Sequence, residues 1–198
     1  MLIVQCSPRA DGVSDAVAGL FAEGAAQAGA NILRLPLRQY RVRPCSGCRA
    51  CLPPPHRCVL ARGRDQAEEI FALLLRARVI FVAAPIYFYA LPSHFKALVD
   101  RSQRFWAARE HGEIHEIRAA APLVCALTAG RKRGRRLFAG ARLTLGCFAR
   151  VFGFGLETPF LLRGLEEPQE LLRRKTVCRS IRDAGRRWGA TAHAPEKF

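Results

Sequence analysis

A chain of 198 residues, half of them apolar and 24% charged, has the length and balance of one packed globular domain, with no room for a second full core. Its net charge of +16 comes from 32 basic residues, nearly all arginine, against 16 acidic ones. That balance favours acidic partners, but the arginines are scattered and no nucleic-acid-binding motif accompanies them, so nucleic acid is not expected as a partner. The Met1–Val4 apolar run is too short for a signal peptide, and the longest apolar stretch, Val79 to Pro92, is too short to span a bilayer and contains two prolines. A soluble, cytoplasmic protein is the expectation.

In chain order, Met1-Leu-Ile-Val-Gln5 is an apolar run ending at Ser7-Pro8 and predicts a buried strand. Ser14 is a candidate N-cap for a helix to about Gln27, with Val17, Leu20, Phe21 and Ala25 on one face and Gly29 as its stop. Asn31 to Leu37 predicts a second strand, and Asp65 caps a helix whose Ile70, Leu73 and Leu74 recur at helical spacing. Val79 to Ala84 is a continuous apolar run, the mark of a strand covered on both faces.

A helix from about Pro92 to Phe105 follows, then a fully apolar strand, Pro122 to Leu127, leading into Thr128-Ala-Gly130. A helix from Arg135 to Phe152, a strand around Gly155 to Leu162 and a helix from Glu166 to Trp188 complete the pattern, with 189–198 expected to be a frayed tail. Strands alternating with helices imply βαβ units, hence one three-layer α/β domain over 1–188 with a doubly wound parallel sheet. Five strands with a phosphate-loop candidate after the first suit the flavodoxin-like order 2-1-3-4-5, in which ligands bind beyond the carboxyl ends of the strands. Three loops occupy that edge: Ser7–Ser14, Pro85–Tyr89 and Thr128–Arg136.

The first of these loops, Ser7-Pro-Arg-Ala-Asp-Gly-Val-Ser14, offers hydroxyls, an arginine and the free N–H groups of a helix start to one anion, with Gly12 letting the backbone approach closely. Asp11 must face away from such an anion. Three aromatics, Tyr87, Phe88 and Tyr89, stand at the end of a buried strand, where a flat ligand or a subunit interface would cover them. Amides after Pro85 are placed to meet the polar edge of such a ligand.

Ser7-Pro-Arg-x-x-Gly-x-Ser14, Pro85-Ile-Tyr-Phe88 and Leu98-Val-Asp-Arg101 together resemble the NADPH-dependent FMN reductase family of flavodoxin-like proteins, over about residues 1 to 130. Cys6 stands where that family usually has glycine. The resemblance implies that Ser7, Arg9, Gly12, Val13 and Ser14 hold the FMN phosphate, that Pro85, Ile86, Tyr87 and Phe88 line the isoalloxazine, and that Thr128 and Gly130 close the other side. It also implies a homodimer or homotetramer, with Phe105 and Trp106 expected at a subunit interface.

Eight cysteines without a secretory signal argue against a disulfide framework. Cys6, Cys125, Cys147 and Cys178 stand singly in apolar surroundings and are expected to be small buried hydrophobes. Residues 44–58 form a cysteine-rich insertion in which Cys45, Cys48, Cys51 and Cys58 follow C-x2-C-x2-C-x6-C. Four thiolates so close can wrap an iron–sulfur cubane, can hold zinc, or can remain reduced thiols. The spacing resembles that of iron–sulfur flavoproteins, a subgroup of the same family, which would make these four the ligands of a [4Fe–4S] cluster beside FMN.

The resemblance then implies an FMN-dependent oxidoreductase that passes electrons from a ferredoxin-like donor through the cluster to FMN and on to a small acceptor. A cluster-free NAD(P)H-dependent FMN or quinone reductase is the alternative, and a non-enzymatic FMN-binding module a third. No Ser/His/Asp or paired-carboxylate arrangement marks a catalytic side chain for hydrolysis. The basic run Arg131-Lys-Arg-Gly-Arg-Arg136 reads as a solvated loop that could also take an NADPH phosphate or an acidic donor. His94, His111 and His115 form no metal-ligand spacing.

Overall fold

A computed structural model describes residues 1–112 and 121–193, so His115 and the last residues of the tail lie outside the described residues. The strands are β1 (Leu2–Gln5), β2 (Leu33–Pro36), β3 (Ile80–Pro85), β4 (Pro122–Ala129), β5 (Gly155–Leu156) and β6 (Phe160–Arg163). All pairings are parallel, and the sheet runs β2-β1-β3-β4-β5, the order expected from the alternating elements. β6 also pairs with β4, further along the same edge.

Side-chain alternation in the central strands sorts the core into two layers. Leu2, Val4, Ile80, Val82, Leu123, Cys125 and Leu127 face one side, against α2 (Ala67–Arg76), α3 (Ser93–Arg101), α4 (Gln103–Glu110) and α5 (Ala139–Phe152). Ile3, Phe81, Ala83, Val124 and Ala126 face the other, against α1 (Val13–Gln27), α6 (Pro168–Leu172) and α7 (Lys175–His193). Phe21 of α1 stacks on Phe81 with ring centroids 3.8 Å apart. Burial on both faces explains why β1, β3 and β4 read as unbroken apolar runs.

Helices α1 and α7 pack unusually close because glycines line their contact. A Cβ on Gly24 would lie 2.0 Å from the Arg182 carbonyl oxygen, and one on Gly185 would lie 2.2 Å from that of Phe21.

Four elements differ from the sequence expectation. The strand expected over Gly155 to Leu162 is two pieces, because Pro159, just before β6, has no N–H for the ladder. The helix expected to end at Phe105 bends at Ser102, whose hydroxyl donates to the Val99 carbonyl at 2.7 Å, and continues as α4. Ser14 is not the N-cap: Gly12 is, and α1 begins at Val13 without any side-chain cap. The last helix splits into α6, closed by a reciprocal Glu167–Glu170 capping box, and α7, which extends past Trp188 to His193 into the stretch expected to fray. Gly29 does end α1, with φ at +77°. Among the described residues no helix is long and apolar enough to cross a membrane.

Candidate functional site

The first loop leaves β1 at the carboxyl edge of the sheet and is tied down from within. Ser7 is buried; its hydroxyl donates to the Arg9 carbonyl at 2.8 Å and accepts from the Arg9 amide at 3.1 Å. Asp11 turns with φ at +54°, and its amide donates to Asp15, whose carboxylate also accepts from Gln5 and pairs with Arg38 at 2.9 Å. Asp15 is thereby occupied, while the first-turn amides of α1 have no side-chain cap competing for them. Uncapped N–H groups and the positive helix end suit an anion. Ser14, buried in that first turn, meets Thr128 at the end of β4, hydroxyl to hydroxyl, at 3.0 Å.

The second loop is a two-residue turn. Tyr87 and Ala90 exchange backbone hydrogen bonds at 3.0 and 2.9 Å, and Phe88 and Tyr89 both take positive φ, +49° and +65°. Left-handed geometry at two aromatics is uncommon and strained, which is typical of functional turns. Two expectations fail here. Phe88 points wholly into solvent at the tip rather than toward the loops. The Ile86 and Tyr87 amides donate to the carbonyls of Thr128 and Ala90, so they are not offered to a ligand.

Between these loops lies a cavity of about 370 Å³. Ser7, Arg9, Gly12, Val13, Ser14, Pro85, Ile86, Tyr87, Thr128 and Gly130 all line it, which leaves Phe88 as the one expected residue outside. Two residues unforeseen from sequence, Leu165 and Glu166, complete the wall. They reach it because the Leu165 amide donates to the Ala129 carbonyl at 3.1 Å, folding the β6–α6 loop over the edge after Gly164, whose φ is +62°. That glycine, following an apolar strand, was the only available signal.

Arg9 is half-exposed and aims across the cavity at this loop, donating to the Glu166 carbonyl at 2.7 Å and pairing with Glu167 at 3.2 Å. A Cβ on Gly12 would crowd Arg9 Nε at 3.2 Å, and one on Gly130 would meet Glu166 Cγ at 2.9 Å, so both glycines preserve the cradle's space. Hydroxyls, a guanidinium and helix amides at one end, with Val13, Ile86, Tyr87 and Leu165 beside them, fit an amphipathic ligand with an anionic end, as FMN is.

The cysteine segment lies between β2 and α2, without regular structure. Cys45, Cys48, Cys51 and Cys58 line one cavity of about 180 Å³ together with Arg49, Leu52, Val59, Leu60 and Gln103. Left-handed Gly47, Arg49 and His56 turn the chain around it. Buried His56 anchors it, with Nδ1 3.1 Å from the Cys51 carbonyl and its ring edge-on to His111. Hydrogen bonds from the Ala50 amide and the Ser46 hydroxyl lower the Cys48 thiol pKa, whereas burial and the neighbouring thiols raise that of Cys51. Among the described residues no three His, Cys, Asp or Glu side chains stand close enough together to hold a single metal ion. Four thiols around one cavity, one of them predisposed to ionise, are a donor set that a sulfur-ligated group fits.

Behind this segment Arg101 and Asp65 form a fully buried ion pair at 2.9 Å. Burial works against the Asp65 carboxylate, but hydrogen bonds from Arg101, the Arg43 amide and the Ala67 amide outweigh it and hold its pKa below the usual value. Asp65 thus serves both the start of α2 and the cysteine segment.

The lone cysteines divide. Cys6, Cys125 and Cys178 are buried as expected, and burial pushes the Cys125 thiol up to about 12. Cys147 is exposed, because it falls on the outer face of α5. Phe105 packs into this chain's own core against Phe71 and Phe152, and only Trp106 is left about half-exposed. All five basic residues of the 131–136 run are exposed, and Arg131 donates to the Tyr89 hydroxyl at 2.9 Å. His94 is exposed, away from any ligand cluster.

Comparison with known proteins bears on family and fold. The family model for NADPH-dependent FMN reductase matches residues 1–152. An iron–sulfur flavoprotein of Methanosarcina thermophila is 33% identical over 96 residues, so the match spans about half of either chain (48% of each). Among solved structures, a flavone reductase superposes with a TM-score of 0.69 at 15% identity, over 100% of this chain and 66% of that one. An NAD(P)H:quinone oxidoreductase from Methanothermobacter marburgensis gives 0.66 at 16% identity, over 100% and 97%. An FMN-dependent NADH-azoreductase from Bacillus anthracis, solved with FMN, gives 0.64 at 14% identity, over 95% and 98%. At such identities the structural likenesses speak for the fold.

Proposed function

Because the chain belongs to the NADPH-dependent FMN reductase family, we propose that it is an FMN-dependent oxidoreductase that also carries a [4Fe–4S] cluster on Cys45, Cys48, Cys51 and Cys58. The observation that carries the FMN reading is one cavity that gathers ten of the expected residues from three separate loops. The cluster reading is supported by the four cysteines around one cavity and by the similarity to an iron–sulfur flavoprotein. Bound FMN supplies redox chemistry in one- or two-electron steps.

The chain's own residues then have separable tasks. Arg9, Ser7 and the first-turn amides of α1 bind the phosphate end, and Ser14 and Thr128 fix the two loops against each other. Val13, Ile86 and Leu165 keep water from the ring's edge, while Gly12 and Gly130 leave the backbone open to it. No side chain in the cavity is needed as a nucleophile. The donor is an acidic, ferredoxin-like protein, drawn by the net charge of +16 and the exposed basic run, and the acceptor is a small molecule.

A second reading, a cluster-free NAD(P)H-dependent FMN or quinone reductase, is favoured by the activities of the structural neighbours. Its cysteines would be reduced thiols. In either case the solvent-facing Phe88 and half-exposed Trp106 support assembly into a homodimer or homotetramer, which sedimentation would register.

The deciding measurement is a UV–visible spectrum with iron and sulfide analysis on anaerobically purified protein. About four irons per chain, with broad absorption under the flavin bands, is the expected result. A clean flavin spectrum without iron moves the assignment to the second reading, and no flavin even after FMN is added overturns both.

A further inference from the structure

The buried Asp65–Arg101 pair leaves two donors over. Arg101 Nη1 donates to Asp65 Oδ2 at 2.9 Å and to the Arg43 carbonyl at 3.1 Å. Its Nε and Nη2 are equally buried and have no hydrogen-bond partner among the described residues. Guanidinium N–H groups stripped of water and left unpaired are costly, and proteins seldom retain them without a use. Neutralising Asp65 does not require them, because one nitrogen already does it. The side chain abuts the cysteine segment: Arg43 reaches the Leu60 carbonyl at 2.7 Å, Leu60 lines the cysteine cavity, and, against the cost of burial, Asp65 and Cys58 both favour the charged guanidinium.

We propose that Arg101 is a positioning residue for the cysteine site, its Nε–H and Nη2–H donating to Cys58 Sγ while Asp65 fixes the fork from the other side. The proposal rests on the reading of the four cysteines as cluster ligands. A rigid planar fork can hold a carboxylate and a sulfur at once, which a lysine ammonium cannot do in the same geometry. Donation to a ligating sulfur withdraws charge from it, raises the reduction potential of the bound group and slows its loss.

Two experiments test this. In cluster-free, 15N-labelled protein, the Arg101 Nε–H signal should exchange slowly with water and shift on Cys58→Ala but not on Cys45→Ala. In protein reconstituted anaerobically with iron and sulfide, Arg101→Lys should keep its FMN, lose iron to a chelator about 10- to 100-fold faster, and show a lower midpoint potential. An Nε–H signal indifferent to Cys58→Ala overturns the proposal, as does wild-type iron loss in a folded Arg101→Lys. If Arg101→Lys does not fold, the signal in the other two proteins decides. If the wild type binds no iron but the signal still follows Cys58, the donor role stands for the thiol and the cluster reading alone falls.

Discussion

The hydroxyls of Ser14 and Thr128 lie 3.0 Å apart, both buried, and join the start of α1 to the end of β4 across 114 residues of sequence. On the proposed reading, this bond sets the spacing between the loop that takes the phosphate and the loop beside the ring. Ser14→Ala and Thr128→Val should each cost about 1 kcal/mol, or roughly fivefold in FMN affinity, since each leaves a buried hydroxyl unpaired. The double variant should lose less than the sum, because both changes remove one bond. Fluorescence titration of FMN measures all three, and strictly additive losses would show that the two hydroxyls act separately.

On the proposed reading, Arg9 serves the phosphate and not the ring. Among the described residues its guanidinium is held by Glu167 and the Glu166 carbonyl, both on the β6–α6 loop. Arg9→Met should weaken FMN binding by about 1.5–3 kcal/mol, as loss of a charge-assisted bond does. Riboflavin, which lacks the phosphate, should bind the variant as it binds the wild type. Equal losses for both ligands would place Arg9 at the ring instead.

The glycines of the α1–α7 contact predict opposite signs within one helix. Gly24→Ala and Gly185→Ala drive a Cβ into backbone oxygen, which no rotamer relieves, and should destabilise by about 1–3 kcal/mol. Gly19→Ala, also in α1, meets nothing within 4 Å and should gain most of the roughly 1 kcal/mol by which alanine exceeds glycine in helices. Thermal unfolding distinguishes them, and a lowered Tm for Gly19→Ala would contradict the packing described.

Asp65 makes the chain sensitive to acid. Its folded pKa is lowered, so the stability it contributes is complete above the unfolded value of 3.8 and is lost as pH falls below that toward the folded value. Denaturant midpoints should therefore drop in that window, and the drop should shrink in Asp65→Asn. At neutral pH that variant leaves Arg101 buried without its counter-charge and should be about 3–5 kcal/mol less stable. An unchanged acid limb in Asp65→Asn would assign the sensitivity to other carboxylates.

Much of this was legible before any coordinates. β1, β3 and β4 announce themselves because strands covered on both faces are apolar throughout, and their parallel order follows from the intervening helices. The three loops of the cavity were legible because ligand loops follow strand ends, where apolar runs stop at Ser7, Pro85 and Thr128, and the family resemblance singled out the ten residues within them. Leu165 and Glu166 were not, since only the Leu165–Ala129 backbone bond brings their loop across. The breaks at Ser102 and Pro159 were readable in part: proline has a known effect on a ladder, but a serine bending a helix depends on which carbonyl its hydroxyl finds.

By itself, then, the sequence determined what is local: the order of strands and helices, the positions of the loops and the spacing of four cysteines. Tertiary structure decided what depends on direction and on distant neighbours. Phe88 leaves the cavity because the turn is closed by two left-handed residues, a geometry that aromatic residues do not signal. Cys147 lies outside because α5 turns that face to solvent. Arg101 finds Asp65 across 36 residues because burial makes an unpaired charge so costly that each must meet the other, and only the folded chain says where.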